Sequence, residues 1–293
     1  MFLLKAEDFW QGEYEEEGVD KYLHQLNNLI GLSSVKQEVE SLINLITVQQ
    51  EMERRGMESS MDLGTLHMAF KGNPGTGKTT VARIIGKLYA SLGILKRGDV
   101  FVECTRADLV GKFQGHTAAN VKKVVESAMG GILFIDEAYS LCQNENDSFG
   151  HEAVDALVAE IENNRKNFVV IFAGYTDDID QFFKTNSGLR SRVPKDLIFE
   201  DYNVDELCSI AYAMLASKKL VLTEDAKETL KCCIEDNYTK ADFGNARGVR
   251  NIIDSITRKQ NVRIAGMLKN NPTDITNEVL LTIEASDIFD ISV

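Results

Sequence analysis

The run Gly72-Asn73-Pro74-Gly75-Thr76-Gly77-Lys78-Thr79 sets three glycines, a lysine and a hydroxyl at a spacing suited to holding a chain of phosphates. Glycines let the backbone curl so that successive N–H groups, with the positive end of a following helix, point at one anion. Lys78 is expected to reach the β- and γ-phosphates and Thr79 to ligate Mg²⁺, while Asn73 to Thr80 as a whole form the expected nucleotide-binding stretch. A second group supplies the other half of a hydrolytic centre. The apolar run 132–135 ends in Asp136-Glu137, and a buried strand does not tolerate two adjacent charges without a cation or a water network. Asp136 suits the Mg²⁺ shell, and Glu137 is the candidate for polarising the attacking water.

Such residues need rigid strand ends and helix starts to position them. Short apolar runs rich in β-branched and aromatic residues occur at 66–70, 100–104, 132–135, 168–173 and 197–199, most of them separated by helical patterns. Strands alternating with helices predict a parallel sheet covered on both faces, with ligand sites at the carboxyl ends of the strands. The phosphate loop falls after the first of these strands and before a helix over 80–88. Upstream, Val35, Val39, Leu42, Ile43 and Ile46 recur at helical spacing from a Ser33 or Ser34 cap. Beyond Tyr202 the strand signals fade, and helical patterns over 204–216, 223–237 and 246–267 predict a small helical lid, followed by a short strand over 279–283. The expected domains are an acidic, solvated lead-in over 1–26, an α/β nucleotide-binding domain over 27–202 and the lid over 203–293.

The bulk properties narrow the function class. A net charge of −13, from 32 basic and 45 acidic residues, works against nucleic acid and anionic membrane as partners and favours a protein, peptide or small-molecule client. The five cysteines have no metal-ligand or paired-disulfide spacing, and the four histidines lack companions, so reduced thiols and no transition-metal site are expected. The first residues turn acidic too soon for a secretory signal, no apolar run reaches the roughly 18 residues of a membrane span, and the cytoplasm is the expected location. No nucleophile elbow or catalytic cysteine setting is present, which confines hydrolysis to the nucleotide.

The phosphate loop, the Asp-Glu strand end and the C-terminal helices together resemble the AAA+ superfamily of P-loop ATPases. The resemblance implies a five-stranded parallel sheet in the order 5-1-4-3-2, ATP and Mg²⁺ as ligands, and a homo-oligomer, expected as a hexameric ring. Leu29-Ile30-Gly31-Leu32-Ser33 resembles the segment lining the adenine pocket, with Ile30 and Gly31 as contacts. Gly111-Lys112-Phe113-Gln114-Gly115 resembles a pore loop that grips a threaded polypeptide, Lys112 and Phe113 being the gripping pair. Ser187-Gly188-Leu189-Arg190-Ser191-Arg192 resembles the arginine-finger segment acting on a neighbouring subunit's ATP, with Arg192 chosen and Arg190 the runner-up. Gly244-Asn245-Ala246-Arg247 resembles sensor 2, with Arg247 preferred to Arg250. Where many relatives carry Asn or Thr as sensor 1, this chain reads Ala173-Gly174-Tyr175-Thr176; that ending is similar to the CbbX/CfxQ-like subgroup, which includes red-type rubisco activases and the stage V sporulation protein SpoVK. Tyr175 is the sensor 1 candidate. The implied function is a Mg²⁺-dependent ATPase that remodels or threads a client protein; a nucleotide-dependent assembly switch and a nucleic-acid loader are the alternatives, the latter disfavoured by charge.

Overall fold

A computed structural model describes residues 16–57, 65–113, 115–142, 144, 146–240, 242–270, 275–289 and 291. Five strands, β1 (Met68–Gly72), β2 (Phe101–Cys104), β3 (Ile132–Ile135), β4 (Val169–Gly174) and β5 (Lys195–Phe199), form one sheet in the order β2-β3-β4-β1-β5, the expected 5-1-4-3-2 arrangement. The β1/β4, β2/β3 and β3/β4 pairs are parallel and in continuous register. β1, β3 and β4 are buried at every residue, as inner strands covered on both faces must be, whereas β2 and β5 at the edges expose part of theirs.

The helices before the lid are α1 (Glu16–Asn27), α2 (Ser33–Arg54), α3 (Lys78–Ser91), α4 (Arg106–Leu109), α5 (His116–Ser127), α6 (Ser148–Asn163), α7 (Thr176–Thr185) and α8 (Ser187–Arg190). α7 is held on β4 by aromatic packing: the Phe172 ring lies 6.2 Å from that of Phe182 and 5.8 Å from that of Phe183. Residues 16–27, whose acidic start predicts a solvated lead-in, instead form α1, which packs on α3 with Leu26 fully buried. The acidic residues conceal the apolar positions of that helix. The rest of the lead-in, residues 1–15, lies outside the described residues.

The C-terminal part contains α9 (Val204–Ser217), β6 (Val221–Leu222), α10 (Glu224–Tyr238), α11 (Ala246–Asn270), α12 (Asn277–Leu281) and β7 (Thr282–Ile283). α9 begins at a capping box in which Asn203 and Glu206 satisfy each other's backbone N–H groups; it buries Leu207, Ala211 and Leu215 and packs against α10 and α11. The strand expected over 279–283 is mostly helix: α12 runs to Leu281, and Thr282–Ile283 alone pair in parallel with β6. Leu280 and Leu281 are exposed, so their apolar character does not mark a buried strand.

The chain divides into two compact units. One holds residues up to 29, 33–71 and 78–198; the other holds 30–32, 72–77 and 199–293, which places the phosphate loop in the same unit as the lid helices.

Candidate nucleotide site

Within the second unit, the loop 72–77 is turned by Gly75 (φ +75°) and Gly77 (φ +97°), backbone conformations that exclude most other residues. Four successive carbonyls of the loop face protein donors. Asn73 O accepts from the Thr76 hydroxyl at 2.8 Å, Pro74 O from Asn245 Nδ2 at 3.4 Å, Gly75 O from the Ala246 N–H at 3.2 Å, and Thr76 O from the Tyr202 hydroxyl at 3.2 Å. With its carbonyls engaged in this way, the loop is left with the N–H groups of Gly75, Thr76 and Gly77, which donate no hydrogen bond among the described residues. A row of unpaired amides on a curled loop, one of them on the fully buried Thr76, is a cradle for an anion.

Three residues that sequence reading does not single out brace this cradle. The Asp201 carboxylate accepts from Asn73 Nδ2 at 2.8 and 3.0 Å and from Asn245 Nδ2 at 2.8 Å. Asn245, buried and in the left-handed region at φ +53°, accepts in turn from the Tyr202 N–H at 3.0 Å. Burial, with a smaller contribution from the Glu206 carboxylate, pushes the Tyr202 hydroxyl up to about 12, so it stays a donor to Thr76 O at neutral pH. Ile30 and Gly31 belong to the same unit. A Cβ at Gly31 would sit 2.6 Å from Glu206 Oε1 and 3.1 Å from the Tyr202 ring, so a larger residue there would have to displace the Glu206 carboxylate and adopt the strained φ of +63°. Gly75 is equally confined: a Cβ there would lie 2.2 Å from Gly244 O and 2.9 Å from the Arg247 N–H nitrogen. Arg247 and Arg250 are exposed, and neither side chain makes a hydrogen bond or ion pair among the described residues.

In the first unit, Lys78, Thr79 and Thr80 form the opening turn of α3, where helix N–H groups lack intrahelical partners. Asp136 and Glu137 follow β3. The Asp136 N–H is tied to Cys104 O at 3.0 Å and its Oδ1 accepts from the Glu137 N–H at 3.1 Å. Glu137 is exposed and adopts φ +48°, a left-handed conformation that costs a non-glycine residue roughly 1–3 kcal/mol and recurs at functional sites. Tyr175 follows β4, its ring 6.1 Å from that of Tyr139. Burial first, then the charges of Glu137 and other neighbours, pushes the Tyr139 hydroxyl up to about 12. Sequence reading passes over Tyr139, whose only signal is its position two residues after Glu137.

Also in this unit, Phe113 is 67% exposed at the tip of the loop between α4 and α5, edge-on to His116 at 5.5 Å between ring centres. The base of the loop is pinned where the Gly111 N–H donates to the buried Thr117 hydroxyl at 3.1 Å. Lys112 is exposed beside Phe113. The two arginines of the 187–192 segment differ. Arg190 makes a two-pronged bridge to Asp196 at 2.6 and 3.0 Å, whereas Arg192 meets Glu162 at 2.9 Å and donates to Gly188 O at 2.8 Å.

Comparison with known proteins gives two family matches: residues 68–200 match the ATPase family associated with various cellular activities (AAA), and residues 203–292 match an AAA lid domain. The chain is 41% identical over 280 residues to a protein CfxQ homolog of Pyropia yezoensis, covering 95% of this chain and 91% of the relative. It is 40% identical to stage V sporulation protein K of Bacillus subtilis, over 82% of this chain and 74% of the relative. It is 39% identical to a chloroplastic ribulose bisphosphate carboxylase/oxygenase activase of Cyanidioschyzon merolae, over 95% and 94%. Among solved structures, the FIGL-1 AAA domain in complex with ADP aligns with a TM-score of 0.60 at 16% identity, over 89% of this chain and 80% of that one, a likeness of fold.

Proposed function

The chain belongs to the AAA family of ATPases, in its CfxQ/CbbX-like group, and is an ATP hydrolase; from that premise we propose that it works as a Mg²⁺-dependent oligomeric ring that remodels or threads a client protein past Phe113. The proposed division of labour follows the residues. The unpaired amides of Gly75, Thr76 and Gly77, with Lys78, hold the phosphates, and Ile30 and Gly31 border the base. Thr79 and Asp136 would hold Mg²⁺, which when bound offsets charge on the phosphate oxygens. Glu137 orients and polarises the attacking water, and Tyr175 and Arg247 are the residues proposed to sense the terminal phosphate. Arg192 is the proposed finger for a neighbouring subunit. Among the described residues its side-chain carboxylate partner is Glu162, about half exposed; such solvent-screened pairs are worth little, so exchanging that carboxylate and the bond to Gly188 O for a phosphate costs little.

The observation that carries the threading part is Phe113 itself. A core aromatic would be buried; this one stands in solvent on a loop fixed at its base, offering apolar area that asks nothing particular of a passing side chain. The client is accordingly a polypeptide, which agrees with the acidic net charge. Phe113→Ala tests the reading: ATP hydrolysis should stay within about twofold of native, as for other exposed substitutions, while processing of a client is lost. A variant that still processes its client would remove the threading proposal and favour the assembly switch.

A further inference from the structure

Beside the segment that carries Arg192 lies a charge cluster to which the proposed function assigns no role. Lys71, on the inner strand β1 just before the phosphate loop, has a side chain only 7% exposed, and its Nζ lies 2.6 Å from both Asp180 of α7 and Asp196 of β5. A lysine in that position is costly unless paired, and two carboxylates over-compensate it. Arg190 of α8 restores the balance, two cations against two carboxylates, through its two-pronged bridge to Asp196. Burial alone would push the Asp196 carboxyl up, but the hydrogen bonds and charges of Arg190 and Lys71 hold it below its usual value.

The second use of Arg190 is local. Its Nη1 also donates to Val193 O at 3.1 Å, so one guanidinium spans the turn Ser191-Arg192 and fastens its far end to β5. Leu189 and Val193, both fully buried, anchor the two sides of the turn, and the Thr65 hydroxyl holds Arg192 O at 2.5 Å. The Arg192 side chain, by contrast, is tied to the half-exposed Glu162 at 2.9 Å and donates back to Gly188 O at 2.8 Å.

We propose that Arg190 is the positioning residue of the finger: with Asp196 and Lys71 it holds the turn from which Arg192 reaches the neighbouring subunit's ATP, and does not touch that ATP itself. The proposal rests on the trans-acting role of Arg192 proposed above. Misplacing a catalytic group by about 1 Å costs up to roughly 100-fold, so Arg190→Met should lower kcat by roughly 10- to 100-fold with KM for ATP near native. Arg190→Lys, which keeps the charge and loses the fork, should fall between.

The deciding experiment mixes subunits. Arg190→Met keeps its own hydrolytic residues but presents a displaced finger; Glu137→Gln keeps its finger but cannot hydrolyse. Mixed in equal amounts, the two should show several-fold more ATP turnover than the sum of the separate proteins, as should Arg192→Ala mixed with Glu137→Gln. Recovery with Arg192→Ala but not with Arg190→Met overturns the positioning role and leaves the trans finger standing. Recovery with neither overturns the trans finger, and the positioning role with it. If Arg190→Met does not fold, Asp196→Asn serves instead, because it keeps the side-chain volume and leaves Lys71 its Asp180 partner; the same mixing outcomes then decide.

Discussion

The phosphate loop and the Phe113 loop are both short and glycine-bearing, yet they are held in opposite ways. In the first, every carbonyl from Asn73 to Thr76 is engaged by a protein donor, and a Cβ at Gly75 would meet Gly244 O at 2.2 Å. In the second, the base is fixed at Gly111 and Thr117, while a Cβ at Gly115 would meet nothing within 4 Å. An anion site gains from dipoles fixed in advance, because they need no reorganisation when charge develops. A loop that grips a passing chain, as proposed for Phe113, would gain from a firm base and an unencumbered tip, since its partner would change with each step.

The largest effect expected from this contrast is at Gly75. Gly75→Ala must adopt φ +75° at about 1–2 kcal/mol and also push against the Gly244 carbonyl. ATP affinity, read with a fluorescent nucleotide, should fall at least about tenfold. Tyr202→Phe tests a single brace of the same loop and should cost about 1 kcal/mol at neutral pH through the lost bond to Thr76 O. Its pH dependence is also specified. The native hydroxyl is pushed up from 10.0 to about 12, so the folded state keeps a proton that the unfolded chain loses, and native stability falls as pH rises from about 10 toward about 12. Denaturant unfolding across that range should fall less steeply for Tyr202→Phe. The smallest effect belongs to the other loop: Gly115→Ala meets only the left-handed backbone penalty, about 1 kcal/mol, and should leave ATP affinity at the native value. A Gly115→Ala protein as impaired in ATP binding as Gly75→Ala would erase the distinction between the two loops.

The parts of the molecule legible in sequence are those encoded over short stretches. The phosphate loop, the Asp136-Glu137 strand end and the lid helices each show in a continuous run, and the five apolar runs match the five strands to within a residue or two at their ends. The first strand illustrates why the ends differ. Its apolar run stops at Phe70 because Lys71 is charged, whereas β1 continues to Gly72 with Lys71 neutralised by carboxylates 109 and 125 residues away. The braces of the phosphate loop are hidden for the same reason: Asp201 and Asn245 reach it across 128 and 171 residues. Nothing local distinguishes them from surface polar residues. The α1 helix is masked by its acidic composition, and the strand-like signal of 279–283 comes from apolar residues that the fold leaves exposed on α12.

Completion of the ATP site by a neighbouring subunit is tested most directly by measuring ATP turnover per subunit against protein concentration, with mass in parallel, for the native chain and Arg192→Ala. Native activity should rise as the protein assembles, and Arg192→Ala should bind ATP and assemble but scarcely hydrolyse it. Full activity in an isolated monomer, with Arg192→Ala unaffected, would contradict a shared site.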